Sequence, residues 1–371
     1  MRNRICGRTG ALLLFVLLAV ALAPFQLGWR DSAAVAAQTQ PVQRQRRLSP
    51  AMQTPPAPPA PNAPQQDDDD EVVRVETDLT SILMTAVDKN KRFITTLKQE
   101  DIRVLENGAP QQISIFQRET DLPLSLALLI DTSRSQERTL PDEQSAARSF
   151  LDAVLRPGKD NAAVISFTGE PRSEQSLTDN ALRLRAAVER VRVELPPDNP
   201  ECDEDVASAI PVDKDPRCWT AIWDAAYATI DEVLSHTPER TRRAIILLSD
   251  GDDTGSRTKR QEAIDFAVKS NVVVYSIGIG DRELYDIDEG ALRKVSEQTG
   301  GRAFFPRNRT ELTDAFRLIE QELRSQYLVA YSPANKTRDG SFRRVQIEIT
   351  NPELRKQKLR LLYRQGYYAR K

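Results

Sequence analysis

Residues 122–140 read LPLSLALLIDTSRSQERTL. The run 124–130 is apolar without alternation, the pattern of a strand covered on both faces. It breaks at once into Asp131-Thr132-Ser133-Arg134-Ser135. A carboxylate and two hydroxyls at alternate positions let one turning loop aim three oxygens at a single point. The stretch therefore predicts both a buried strand and a polar site at its carboxyl end.

Four further runs have the same covered character: NAAVISFTG (161–169), RRAIILLSDG (242–251), NVVVYSIGIG (271–280) and GRAFFPRN (301–308). Between the strands lie amphipathic stretches at 138–155, 178–194, 219–235, 258–270, 288–299 and 311–326. Strands alternating with helices predict an α/β domain over 121–326, with a doubly wound, mostly parallel sheet. On either side the pattern is β alone. The segment 72–120 holds VVRVETDLTSILMTAVD, a turn at KNKR, and two strands meeting at Asn107-Gly108. The segment 327–371 holds SQYLVAYSP, begun just before it, then SFRRVQIEIT and LRLLYRQGYYA. Neither flank is large enough to stand alone, so the two are expected to pair as a small β-sandwich built from N- and C-terminal strands.

Upstream, MRNRICGR, ALLLFVLLAVALAPF and SAAVAAQ have the order of an export signal over 1–36: basic, apolar, then small. The same apolar run also serves as an uncleaved anchor if Pro24 and Gln26 are tolerated in a bilayer. Residues 37–71 contain PPAPPAPNAP and end in DDDDE; they have too little apolar surface to offset chain entropy and read as an extended tether. Cys202 and Cys218 remain beyond the leader, and an isolated pair in an exported chain predicts a disulfide.

Composition narrows the function. Lys+Arg (52) and Asp+Glu (54) nearly cancel, so no basic field points to nucleic acid. His236 is the sole histidine, placed at a helix end, which leaves a serine nucleophile without an obvious base. Neither a G-x-S-x-G nor a P-loop motif is present. A phosphatase using Asp131 as nucleophile wants a second acid two residues on, where Ser133 stands.

In a doubly wound sheet, ligands bind beyond the carboxyl ends of the strands. Two ends carry acids here: Asp131, followed by Ser133 and Ser135, and Asp250 in SDGDD, followed by Asp252 and Asp253. Thr220, at the head of a helix, adds another hydroxyl. Two carboxylates and three hydroxyls form a hard-oxygen set, suited to Mg²⁺, Mn²⁺ or Ca²⁺ and poorly suited to Zn²⁺ or Cu²⁺. Asp252, Asp253, Asp224 and Asp231 read as solvated acids, and Trp219 with Trp223 as core residues four apart on one helix.

Asp131-x-Ser133-x-Ser135, the distant Thr220 and the strand-terminal Asp250 together resemble the metal-ion-dependent adhesion site (MIDAS) of von Willebrand factor type A (VWFA) domains. The flanks, LKQEDIRVLENGAPQQISIF and RQGYYA among them, resemble a subfamily of exported VWFA proteins common in acidobacteria. The resemblance implies a Rossmann-like fold, a metal held by Asp131, Ser133, Ser135, Thr220 and Asp250, and a non-enzymatic role. A protein partner would offer a Glu or Asp to the metal. Arg134 stands where the family often has Gly, and Cys218-Trp219 precede the threonine where a Gly-rich segment is common. The expected function is therefore an exported, periplasmic or envelope binding module. The alternatives are an envelope protein whose metal only stabilises the fold, and a metal-dependent hydrolase.

Overall fold

The computed structural model describes residues 79–371 except 91, 119–120, 196–217, 281 and 284–285. The leader, the tether and Cys202 lie outside the described residues. At the centre is a six-stranded sheet. The run 124–130 forms strand β5 (Leu124–Asp131), every residue of which is buried. It lies between β8 (Arg242–Ser249) and β6 (Asn161–Phe167), parallel to both. Beyond β8 come β9 (Val272–Gly278) and the two-residue β10 (Ala303–Phe304); beyond β6 comes β7 (Pro171–Thr178). The order β10-β9-β8-β5-β6-β7 is parallel except for β7, which runs antiparallel to β6 at the edge.

Two separate apolar clusters cover the two faces of this sheet. One involves α1 (Leu140–Val154), α2 (Ala181–Arg190) and α6 (Arg309–Leu323). The other involves α3 (Ile222–Ala228), α4 (Arg260–Lys269) and α5 (Glu289–Thr299). Helices on both sides are what make the strands continuously apolar. The strand expected over 301–308 is far shorter, and β7 was not anticipated: PRSEQSLT is polar because it borders the sheet and its side chains are mostly exposed or half-buried. Helix α3 begins only at Ile222, so Trp219 precedes it. Trp223 is buried in the core as expected. The chain continues from α3 through a widened π-helical turn (Thr229–Leu234), and exposed His236 lies just past it.

The N- and C-terminal strands pair with each other in two four-stranded sheets. In the first, β1 (Thr80–Val87) lies between β11 (Tyr327–Tyr331) and β13 (Arg360–Tyr363), and β4 (Ile113–Arg118) borders β11. In the second, β12 (Phe342–Ile349) lies between β14 (Gly366–Tyr368) and β2 (Ile102–Glu106), and β3 (Ala109–Gln111) borders β2. Asn107 and Gly108 both have positive φ, 48° and 84°, which is the twisted two-residue turn that an Asn-Gly pair favours. Two segments read as single strands, 109–118 and 359–369, each split and contribute to both sheets. The segment NPELRKQ holds a short helix, α7 (Pro352–Lys356).

A buried polar knot ties the two sheets together. Glu106 on β2 accepts hydrogen bonds from Tyr331 Oη at 2.9 Å and Tyr367 Oη at 2.8 Å, and pairs with Arg343 at 3.4 Å. Glu106 and Arg343 are each 3 % exposed, so removing one leaves the other charge buried without its counter-ion. Glu106→Ala should therefore cost about 3–5 kcal/mol of stability. This is read as a lowered urea midpoint with an unchanged slope; a variant as stable as the wild type would remove the knot's structural role.

Candidate metal centre

The parallel register of β5 and β8 pairs Ile130 with Leu248, so the last residues of both strands arrive side by side. Asp131 closes β5, and Asp250 follows β8 by one residue. The chain leaves β5 for β6 on one side and later reaches β8 on the other, so the pair lies at the topological switch point of the sheet. Asp131 is fully buried and Asp250 is 4 % exposed. Among the described residues neither carboxylate has an ion-pair partner.

Local hydrogen bonds fix each oxygen. The Ser133 amide donates to Asp131 Oδ1 at 2.9 Å, and Ser249 Oγ donates to Asp131 Oδ2 at 2.7 Å. The Ser133 and Ser135 hydroxyls are 3.0 Å apart, and the nearby Ser135 hydroxyl favours the charged form of Asp250. Gln136 Nε2 donates to Ser135 Oγ at 3.1 Å. Asp250 Oδ1 accepts from the Asp252 amide at 3.0 Å. The sharp turn that follows needs glycine: Gly251 has φ 88°, and a Cβ there would come within 2.9 Å of Asp288 O and Leu292 Cγ. Arg134 is exposed between the two buried serines.

Of the five candidate ligands, Asp131, Ser133 and Ser135 thus form one hydrogen-bonded group, and the charge of Asp250 acts on Asp131 beside it. Thr220 is joined to it less directly. The adjoining Ala221 amide donates to Thr168 O at 2.7 Å, and Thr168 Oγ1 meets Thr132 Oγ1 at 2.8 Å, next to Asp131. The Thr220 amide and carbonyl are both held by Thr254, and the Thr220 hydroxyl makes no hydrogen bond to any described residue.

Of the two acids beyond Asp250, Asp253 is structural rather than solvated. Asp253 Oδ1 accepts from the Ile222 amide at 2.8 Å and from Ser256 Oγ at 2.6 Å, clasping the start of α3. Asp224, expected on a wet helix face, instead accepts from the Arg257 and Thr258 amides at 2.9 and 2.7 Å. Asp252 and Asp231 are exposed, as expected. Sequence reasoning missed Ser249, whose hydroxyl is indistinguishable in sequence from any strand-end serine. It also missed Glu143, fully buried in the first turn of α1. An acid on the stripe formed by Leu140, Ala147, Phe150 and Val154 was the available signal.

Electrostatics set the cost of this arrangement. Burial, and then the Asp250 charge, push Asp131 up to about 7. Burial likewise raises Asp250. Glu143 is pushed up to about 8, foremost by burial, with the charges of Asp131 and Asp250 adding. Two acids held together out of water strain toward protonation unless a cation joins them. Every donor is oxygen, and among the described residues no three His, Cys, Asp or Glu side chains converge on one point. The set fits a hard divalent ion completed by hydroxyls and water rather than a carboxylate cage.

A family model for the von Willebrand factor type A domain matches residues 125–318, more than half of the chain, and the protein belongs to that family. A UPF0353 protein of Mycolicibacterium vanbaalenii is 25 % identical over 217 residues, covering 53 % of this chain and 59 % of the relative. The chain thus spans little more than half the length of that curated relative. Among solved structures, a von Willebrand factor type A protein from Catenulispora acidiphila is 15 % identical with a TM-score of 0.44, covering 75 % of each chain. Proximal thread matrix protein 1 from the mussel byssus, described with a zinc-occupied MIDAS motif, is 12 % identical with a TM-score of 0.40, covering 56 % of this chain and 50 % of that one.

The raised Asp131 pKa sets a pH dependence. Its folded value, about 7, lies above the usual value of 3.8, so neutral Asp131 favours the fold fully below pH 4. That contribution is lost as pH rises through 7. In the metal-free protein, the melting temperature of the wild type should fall relative to Asp131→Asn between pH 4 and 8. Added Mg²⁺ should restore it at the upper end. Parallel pH curves for the two proteins would contradict the assignment.

Proposed function

We propose that the chain is an exported binding module that captures an acidic side chain of a protein partner through a divalent cation, without catalysing a reaction. Asp131, Ser133, Ser135, Thr220 and Asp250 would hold the cation, with Mg²⁺, Mn²⁺ or Ca²⁺ matching the donor set. The observation that carries this reading is the pair of buried, uncompensated carboxylates ringed by neutral hydroxyls. When bound, the ion supplies positive charge and a coordination position for an incoming carboxylate.

The chain's own residues set how strongly that position attracts an acid. Three neutral hydroxyls leave more of the ion's charge uncancelled than carboxylates would. Ser249 and the Ser133 amide hold both Asp131 oxygens in place, so the carboxylate is oriented before any ligand arrives. Exposed Arg134 adds a guanidinium beside the site, a further attraction for an acidic partner. His236, exposed just past the turn that follows α3, and Ser133, standing where a phosphatase would carry a second acid, support binding over catalysis. The basic, apolar and small-residue order of 1–36 supports export, and the Cys202–Cys218 pair suits an oxidising compartment. A bridge between these cysteines would pin the loop that leads into Thr220 and so shape the choice of partner.

Two experiments test the proposal. Partner capture from envelope extract should require Mg²⁺ or Mn²⁺ and disappear in Asp131→Ala with the melting transition retained. Capture by Asp131→Ala in excess chelator, equal to the wild type, would refute carboxylate capture. A melting temperature that falls on chelation with no metal-dependent partner would instead favour a purely structural cation. Second, replacing Cys202 and Cys218 with Ser should alter partner affinity while the α/β domain stays folded; unchanged affinity would remove the loop's role in recognition.

A further inference from the structure

At the opposite end of the parallel strands, a cavity of about 680 Å³ lies between the α/β domain and the β-sandwich. The starts of β8 and β9 line one side, and β1, β11 and β14 line the other. Arg240, Arg243, Lys269, Lys336, Arg343 and Arg364 all border it, whereas Glu239 is the single acid among its described lining residues. Of these six cations only Arg343 has an ion-pair partner among the described residues, namely Glu106.

The charge is not merely near the cavity; it is held there by neutral groups. Arg243 donates to Thr237 Oγ1 at 2.7 Å, Thr237 O at 2.8 Å and Ser270 O at 3.2 Å. Arg364 donates to Ser81 O at 2.7 Å and Val268 O at 3.3 Å. Carbonyls and a hydroxyl fix the guanidinium planes without cancelling their charge. Burial pushes Arg364 down to about 10 and lowers Arg243 as well, the mark of cations short of counter-charge.

We propose that this cavity binds a small organic phosphate. Several oriented cations facing one acid call for a compact anion with more than one charge and several acceptor oxygens, which phosphate provides. Guanidinium forks match phosphate geometry through paired N–H donors. Val272, Leu328 and the Tyr368 ring supply an apolar wall for the uncharged part of the molecule, and the volume is that of an ordinary small-molecule site. The site is remote from Asp131 and Asp250, which lie at the other ends of the strands, so it stands whether or not the metal reading holds.

The test is calorimetric titration of the full chain, freed of divalent cations by chelation and dialysis. The probes are inorganic pyrophosphate, a nucleoside monophosphate and citrate. Both phosphates should bind, and Arg240→Ala combined with Lys269→Ala should weaken them by about tenfold or more. These two side chains are exposed and make no hydrogen bond to a described residue, and an unchanged melting temperature checks that the fold survives. Asp131→Ala should bind the phosphates like the wild type. Failure of both phosphates to bind, equal affinity in the double variant, or citrate binding as tightly as the nucleotide would each overturn the proposal.

Discussion

Two carboxylates brought side by side at the ends of adjacent parallel strands, and buried there, are the constraint around which this molecule is arranged. Asp131 and Asp250 raise each other's cost, and no described Lys or Arg relieves it. The surrounding chain does not soften that cost so much as freeze its geometry. Ser249 and the Ser133 amide hold one carboxylate, while the Asp252 amide holds the other. Gly251 makes the turn that keeps Asp250 in place, in a conformation that a side chain would strain. Such a site is preorganised for positive charge.

Burial of the pair follows from the architecture. Because helices cover both faces of the central sheet, the strands are apolar throughout and their ends fall in a dry crevice. The same covering explains why the strand ends, rather than the strand bodies, are the places left for polar groups. The sandwich formed by the chain's two flanks contributes a different kind of polar burial. There Glu106 and Arg343 satisfy one another with help from two tyrosines, so charge is compensated within the protein. The contrast between the two buried sites is informative: in one a carboxylate faces a guanidinium, and in the other two carboxylates face each other with no described cation beside them.

The central sheet was legible because its strands lack alternation and its helices keep their period, signals that survive without tertiary knowledge. Residues 124–130 and 242–251 read as covered strands, and both lie at the heart of the sheet. Pairing between the chain's two flanks was also legible, since neither could bury a core alone. The edge strand β7 was not, because an edge strand made of polar residues looks like a loop. Nor was the splitting of 109–118 and 359–369 between two sheets, which depends on a change of partner that leaves no mark on hydropathy. At the site, Asp131, Ser133, Ser135 and Asp250 could be read from spacing at strand ends. Ser249, Asp224 and Asp253 could not, because their roles depend on which backbone amides fold back onto them.

The central claim is that five oxygens, from Asp131, Ser133, Ser135, Thr220 and Asp250, converge on one hard cation. Thr220 is the least constrained of the five, reached through Thr168 and Thr132 rather than by direct contact. The most direct measurement is a crystal structure of the Mn²⁺-soaked protein with an anomalous difference map. A single strong peak bounded by these five side chains is expected. A map with no peak there, or one whose peak leaves Thr220 or Asp250 outside coordinating distance, would contradict the account.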